Sequence, residues 1–279
     1  MDVPGTSDDP VLVSRPRAAV GMITLNRPDR LNAIDDTLVA RLHAAIDEVG
    51  DDAACQVVVL TGAGRGFCAG FDMKSARGAD FEAGRRHSVA GTLSGQSHLA
   101  DLVRRLRALR APVIAAVNGP AAGGGLALAL AADIRIAAPS AVFLVANVRL
   151  GLSGGEMGIS YLLPRIIGAG RAAELMLTGR AVDAQEAHRY GLVTTVAEDP
   201  VAAALDVAET VTGHGRFGVE MTKDLLTLSM AGTDLDTMLA LENRSQVLAS
   251  MTEDMERAVG SFRNQAREDV PPPTAGGVA

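Results

Sequence analysis

The chain has no tryptophan, two tyrosines and six phenylalanines in 279 residues. It also lacks any long run of Lys or Arg, so bases would find few rings to stack on and no basic track to follow. With a formal charge of -7, nucleic acid is not an expected partner. A small anionic ligand stays open, because local arginines decide that and the total charge does not. Only two cysteines occur, Cys55 and Cys68, which excludes a disulfide framework and fits reduced packing thiols. The five histidines, His43, His87, His98, His188 and His214, have no histidine partner at i+3 or i+4 and no Cys or carboxylate in ligand spacing, so no metal is expected. The longest apolar runs, "LALALAA" and "PVIAAV", are too short to cross a bilayer, and "MDVPGTSDDP" is acidic, without a basic segment leading into an apolar one. The expectation is a cytoplasmic protein without membrane contact. No G-x-x-x-x-G-K-[ST] is present, and "GAGRG" (62–66) is not the G-x-G-x-x-G of a dinucleotide loop.

What the sequence does have is enough apolar residue, 48% against 21% charged, to bury a sizeable core. Short strands alternate with helices. "AAVGMITLN" reads as a strand, and "TLVARLHAAIDEVG" puts Leu38, Leu42, Ala45, Ile46 and Val49 on one helical face. "QVVVLTG" is a strand, the stretch to about residue 95 gives no clear signal, and "HLADLVRRLRALR" is an amphipathic helix. The pattern then repeats through the strand "PVIAAVNG", a glycine turn, a helix and the strand "DIRIAA". A second glycine turn, "GLSGGEMG", leads into "ISYLLPRIIG" and the short helices "GRAAELMLTG" and "DAQEAHRYG". This alternation predicts an α/β fold with mostly parallel pairing over residues 10–200. From about Val201 only helical patterns remain, giving a C-terminal helical region over 201–268 that caps the core and makes an oligomer contact. Residues 1–9 and 270–279, rich in Pro, Gly, Asp or Thr, read as disordered tails.

Two glycine turns carry the chemistry. In "NGPAAGGGLALALAAD" (118–133) three glycines open a helix whose first N–H groups lack intrahelical acceptors and sit at the positive end of its dipole. Such a terminus holds an anion or a developing oxyanion. Close helix–strand packing is the competing explanation for the glycines. In "RGFCAGFDMK" the small residues Ala69 and Gly70 precede the Phe71 N–H, and two donors facing one point make an oxyanion hole. A separate pattern, "GLSGG" (151–155), fits the G-x-S-x-G elbow of serine hydrolases, with Asp183 and His188 or His214 as partners for Ser153 in the right chain order.

At these residues the sequence resembles the enoyl-CoA hydratase/isomerase, or crotonase, superfamily. The resemblance runs from "ITLNRPDRLNA" through "VVVLTGAGRGFCAGFD", "APVIAAVNGPAAGGGLALALAADIRIA", "LLPRIIG" and "AELMLTGRAVDAQEAHRYGLV". It implies a crotonase-like spiral of ββα units with a C-terminal helical trimerisation region, assembling as a homotrimer or a dimer of trimers. It implies an acyl-CoA thioester substrate, with coenzyme A as part of that substrate and no tightly bound cofactor. By the same resemblance Phe71 and Gly124 supply the two N–H groups that grip the thioester carbonyl. Ala69, Asp72, Met73 and Lys74 border the CoA, and Arg27 and Arg30 face its phosphates, a solvated loop arginine being the alternative for either. The unclear segment 76–96 would line the acyl pocket.

Hydratases of this superfamily carry two glutamates at positions that are here Ala127 and Asn147. Neither is a base at neutral pH, so the two-glutamate hydration route is not expected. The remaining carboxylate is Glu156, which resembles, with a one-residue offset, the aspartate of dienoyl-CoA isomerases and of 4-chlorobenzoyl-CoA dehalogenase. The bland alternative is an acidic residue in the first turn of a helix. His98 resembles the dehalogenase's histidine base in rough position, against a packing or surface role. The reading is an acyl-CoA enzyme that forms an oxyanion-stabilised enolate and isomerises a double bond with one carboxylate. A non-catalytic acyl-CoA binder and a thioester hydrolase using Ser153 or Glu156 are the alternatives.

Overall fold

A computed structural model describes residues 8–75 and 88–268. The tail segments 1–7 and 269–279, His87 and residues 76–87 of the expected acyl-pocket stretch lie outside the described residues. Asp9, expected in a frayed tail, instead takes the Arg41 guanidinium at 2.8 Å and accepts from the Val11 N–H, so the N-terminal tail ends earlier than residue 9.

The chain opens with an antiparallel hairpin, β1 (Val11–Arg17) and β2 (Val20–Leu25). The sequence pattern gave no sign of β1, because "VLVSRPR" contains a proline and several exposed residues. As the edge strand it tolerates Pro16, and its register breaks between Ser14 and Arg17. Helix α1 (Asp36–Asp51) follows, its first turn capped by Asp35, whose carboxylate accepts from the Leu38 N–H at 2.9 Å. It buries Leu38, Leu42, Ala45, Ile46 and Val49, the face expected. Strand β3 (Val57–Gly62) runs parallel to β2, with Val20 opposite Val57 and Leu25 opposite Gly62.

Helix α2 (Val89–Ala108) starts well before the expected His98, with Ser88 accepting from the Gly91 N–H at 3.1 Å. Its first turns show no apolar periodicity because they bury none: Val89 is 86% and Leu93 65% exposed. Strand β4 (Val113–Val117), the two-residue β5 (Ala121–Ala122), helix α3 (Gly124–Ala131) and strand β6 (Ile134–Ala137) come next. Then follow β7 (Val142–Leu144), a 3-10 turn over Asn147–Leu150, α4 (Ile159–Ile167), α5 (Ala169–Thr178), β8 (Ala181–Asp183), α6 (Ala184–Arg189) and β9 (Thr195–Val196).

The main sheet runs in the order β1-β2-β3-β4-β6-β9, parallel from β2 onward, and a smaller sheet runs β5-β7-β8. Every residue of β3 and β4 is buried, which is why "VVVLTG" and "VIAAV" read as continuous apolar runs without alternation. Helix α7 (Pro200–Thr212) covers one face. Its Ala204 and Ala208 pack among Val57, Val59, Ile114, Ala116 and Ile136. That packing moves the boundary of the core from the expected residue 200 to Thr212.

The second compact unit starts at Gly213 and holds α8 (Arg216–Met230), α9 (Leu235–Ser250) and α10 (Glu253–Glu268). Leu226, Leu235, Leu239, Val247, Leu248 and Met251 are exposed on it. No helix among the described residues is long and apolar enough to cross a membrane.

Candidate active site

The chain leaves β4 through Asn118 and reaches α3 by way of β5 and Gly123. Each glycine of the triplet has its own structural reason. Gly123 adopts φ +50°, a conformation side chains disfavour, and its N–H donates to the Leu144 carbonyl at 3.0 Å. A Cβ on Gly124 would stand 2.9 Å from Ile34 Cδ1 and 3.1 Å from Met157 Sδ. A Cβ on Gly125 would overlap the Cys68 carbonyl oxygen and come within 2.8 Å of its carbon. Close packing therefore accounts for more of the triplet than the sequence suggested, and it is packing against the second turn. The helix that follows is buried along its whole length, which leaves its N-terminal end as the part facing outward from the core.

The second turn is tied to Ile34 on either side of Phe71. The Ile34 N–H donates to the Gly70 carbonyl at 2.7 Å and the Asp72 N–H to the Ile34 carbonyl at 2.9 Å. In this parallel bridge the Phe71 N–H points the other way. Cys68 pairs with Ala121 in the same manner, and the Ala122 N–H donates to its carbonyl at 3.0 Å. Gly70, at φ +88°, brings the two turns together: a Cβ there would lie 2.7 Å from the Ala122 oxygen and 3.6 Å from the Gly124 nitrogen. Among the described residues neither the Phe71 N–H nor the Gly124 N–H has an acceptor. Burial pushes the Cys68 thiol up to about 12, against the opposing hydrogen bond from Gly70, so Cys68 is a neutral packing group beneath the turn.

The residues expected around the CoA divide in two. Arg27 is committed to ion pairs with Asp35 and Asp72, each at 2.9 Å, and also donates to the Ala33 carbonyl. Asp72 is buried, and its carboxylate also accepts from the Lys74 N–H at 2.9 Å. Burial alone would raise the Asp72 pKa, but the Lys74 N–H and the Arg27 guanidinium outweigh it and hold the group below its ordinary value. This pair braces the turn. Arg30 and Lys74 are exposed, whereas Ala69 and Met73 are half-buried and the Ala69 N–H donates to the Leu31 carbonyl at 2.9 Å. Two asparagines that the sequence reading missed hold the loop 62–66. Asn32 donates to the carbonyls of Ala63 and Gly66, and Asn118 to those of Gly62 and Gly64.

Glu156 precedes α4 rather than lying inside it, its carbonyl accepting from the Ile159 N–H at 2.8 Å, so a first-turn dipole role does not account for it. Met157, held at φ 46° and buried against Gly124, fixes the turn that carries it. The Glu156 carboxylate faces the glycine triplet: a Cβ on Gly123 would be 3.9 Å from its Oε2. The Asn147 amide donates to Oε2, and Gln96 Nε2 on α2 lies 3.4 Å from Oε1. Gln96 is a further residue no sequence signal marked, since it lies 60 positions away in the chain. Ala127 is fully buried in α3 and offers a methyl group where a second acid would have to stand.

The serine-elbow reading loses its partners. Ser153 Oγ accepts from the Gly155 N–H at 3.1 Å and closes a local turn. Asp183 caps α6 through the Glu186 N–H, and His188 Nδ1 lies 3.3 Å from the Val193 carbonyl. His214 belongs to the other compact unit. His98 stacks on His43 of α1, ring centroids 4.3 Å apart, and so is engaged away from Glu156. It is a packing residue here.

The sequence model of the enoyl-CoA hydratase/isomerase family matches residues 15–269. The chain belongs to that family. It is 44% identical over 258 residues to a probable enoyl-CoA hydratase of Mycobacterium tuberculosis, covering 91% of this chain and 90% of that one. It is 39% identical over 253 residues to the 1,2-epoxyphenylacetyl-CoA isomerase of Escherichia coli, covering 90% and 94% of the two chains. The crystal structure of an enoyl-CoA hydratase from Bacillus anthracis superposes with a TM-score of 0.85 at 33% identity, over 92% of this chain and 96% of that one. The protein is an acyl-CoA enzyme of the enoyl-CoA hydratase/isomerase family, and its mixed α/β core with a helical C-terminal region is the crotonase fold.

Proposed function

We propose that the protein isomerises the double bond of an enoyl-CoA, with Glu156 as its single acid–base group. The Phe71 and Gly124 N–H groups receive the thioester oxygen. Glu156 takes a proton from the α carbon of a 3-enoyl-CoA, and the electron pair moves onto that oxygen as a dienolate. The same carboxyl returns the proton at the γ carbon, giving the conjugated 2-enoyl-CoA and restoring the carboxylate. One carboxylate suffices because nothing is added or lost, whereas the two-acid route to hydration would need ionisable groups at Ala127 and Asn147. Each oxyanion donor of this kind contributes about 3 kcal/mol to transition-state stabilisation.

The observation that carries this reading is the position of Glu156 Oε2, 3.9 Å from the point where a Gly123 Cβ would sit, one residue from the Gly124 N–H. Arg30 and Lys74, exposed beside the bridged turn, are the cations this reading gives to the CoA phosphates, and Arg27 keeps a bracing role. Coenzyme A enters as part of the substrate. The exposed apolar residues of the C-terminal unit are the surface a homotrimer would cover. The test is to follow conjugated-enoyl absorbance with a 3-enoyl-CoA, to measure hydration of a 2-enoyl-CoA in parallel, and to repeat both with Glu156→Gln. Acyl-CoA binding without turnover of any thioester would instead mark a non-catalytic binder.

A further inference from the structure

Gly123, Asn147 and Glu156 surround a small space that proton transfer alone does not require. A Cβ built on Gly123 would meet only two atoms within 4 Å, Asn147 Oδ1 at 3.4 Å and Glu156 Oε2 at 3.9 Å. The Cα face of this glycine therefore opens onto a methyl-sized space bounded by two oxygens. The amide orientation of Asn147 follows from its neighbour. An ionised carboxylate only accepts, so Nδ2 faces Glu156 and Oδ1 is turned away from it. Asn147 is 9% exposed, and its Oδ1 is fully enclosed with no donor among the described residues. A buried carbonyl oxygen left without a donor is unfavourable, and a neutral one selects a hydrogen-bond donor rather than a cation.

We infer that this space is a hydroxyl subsite for the acyl chain, in which an O–H on the first carbons of the acyl group donates to Asn147 Oδ1. The inference rests on the acyl-CoA reading above and adds a specificity to it. Gly123 adjoins Gly124, so a group in the space lies beside the carbonyl held by the Gly124 N–H, within reach of the first acyl carbons. A hydroxyl is the size of the methyl-sized space and supplies the donor that Oδ1 lacks. A water molecule has the same O–H chemistry, and the experiment separates the two sources.

The experiment is calorimetric binding of butyryl-CoA and of both enantiomers of 3-hydroxybutyryl-CoA to the full-length protein and to Asn147→Ala. In the unaltered protein one enantiomer binds about tenfold more tightly than butyryl-CoA, the size of a net hydrogen bond to a buried neutral acceptor. In Asn147→Ala that ratio falls to about one. Equal affinities in the unaltered protein mean that the space takes water and overturn the inference, as does a preference that survives Asn147→Ala. The first comparison needs no variant, so it decides the question even where Asn147→Ala does not fold. If none of the three esters binds, the acyl-CoA reading itself fails, a result distinct from equal binding of all three.

Discussion

Asn147 donates its side-chain amide to Glu156 Oε2, joining two residues nine apart across the 3-10 turn and the second glycine loop. The neutral amide thus fixes where the carboxylate points without competing for its proton, because an amide does not titrate in the range where a carboxyl does. With Gln96 Nε2 on the other oxygen, the carboxylate is held from two sides while remaining half-exposed to the site.

The meeting of the two turns depends on Gly125. Its missing Cβ is the space filled by the Cys68 carbonyl, which is backbone and cannot rotate aside. Gly125→Ala is expected to lower stability by about 1–3 kcal/mol, as overpacking does. It is also expected to lower kcat/KM by about a hundredfold through separation of the Phe71 and Gly124 N–H groups. Urea denaturation and steady-state kinetics on the same preparation check both. An unchanged kcat/KM would mean that the turns do not act together.

The Arg27–Asp72 pair gives the turn an acid-sensitive brace. The folded pKa of Asp72 lies below its ordinary value of 3.8, so its stabilising contribution is fully present above that value and is lost as pH falls through the folded pKa. Asp72→Asn is expected to destabilise the protein by about 3 kcal/mol at pH 7, since it leaves Arg27 facing a neutral amide. It should also flatten the decline of stability below about pH 4. Denaturation midpoints across that range, variant against unaltered protein, measure it. Parallel curves would contradict the assignment.

Ser153 serves the turn and not the chemistry. Ser153→Ala removes one hydrogen bond to the Gly155 N–H, an effect of about 1 kcal/mol or less on stability. Release of free CoA from any acyl-CoA should be no slower in the variant. A thioesterase activity abolished by this substitution would restore the serine-elbow reading.

The parallel core was legible because strands buried on both faces leave continuous apolar runs, as in Val57–Gly62 and Val113–Val117. The α1 face was legible for the corresponding helical reason. Burial, however, is the signal such reading detects. The first turns of α2 bury nothing around Val89 and Leu93, and β1 sits at an edge with a proline, so both escaped it. The catalytic turn showed its glycines but not the reason for each, since Gly125 meets Cys68 through a contact between distant chain segments. Gln96, Asn32 and Asn118 act through single side-chain bonds that follow no periodicity, and Arg27 looked like a ligand cation until its two carboxylate partners were in place.

The central claim is that Glu156 alone moves the proton. The measurement that tests it is the rate of 2-enoyl-CoA formation from a 3-enoyl-CoA by the unaltered protein and by Glu156→Gln, with acyl-CoA affinity measured on both. The account predicts turnover by the unaltered protein and a loss of about a thousandfold in kcat for the variant, the scale of a general acid–base group, with acyl-CoA still bound. Isomerisation at an undiminished rate in Glu156→Gln, or efficient hydration of a 2-enoyl-CoA by that variant, would contradict it.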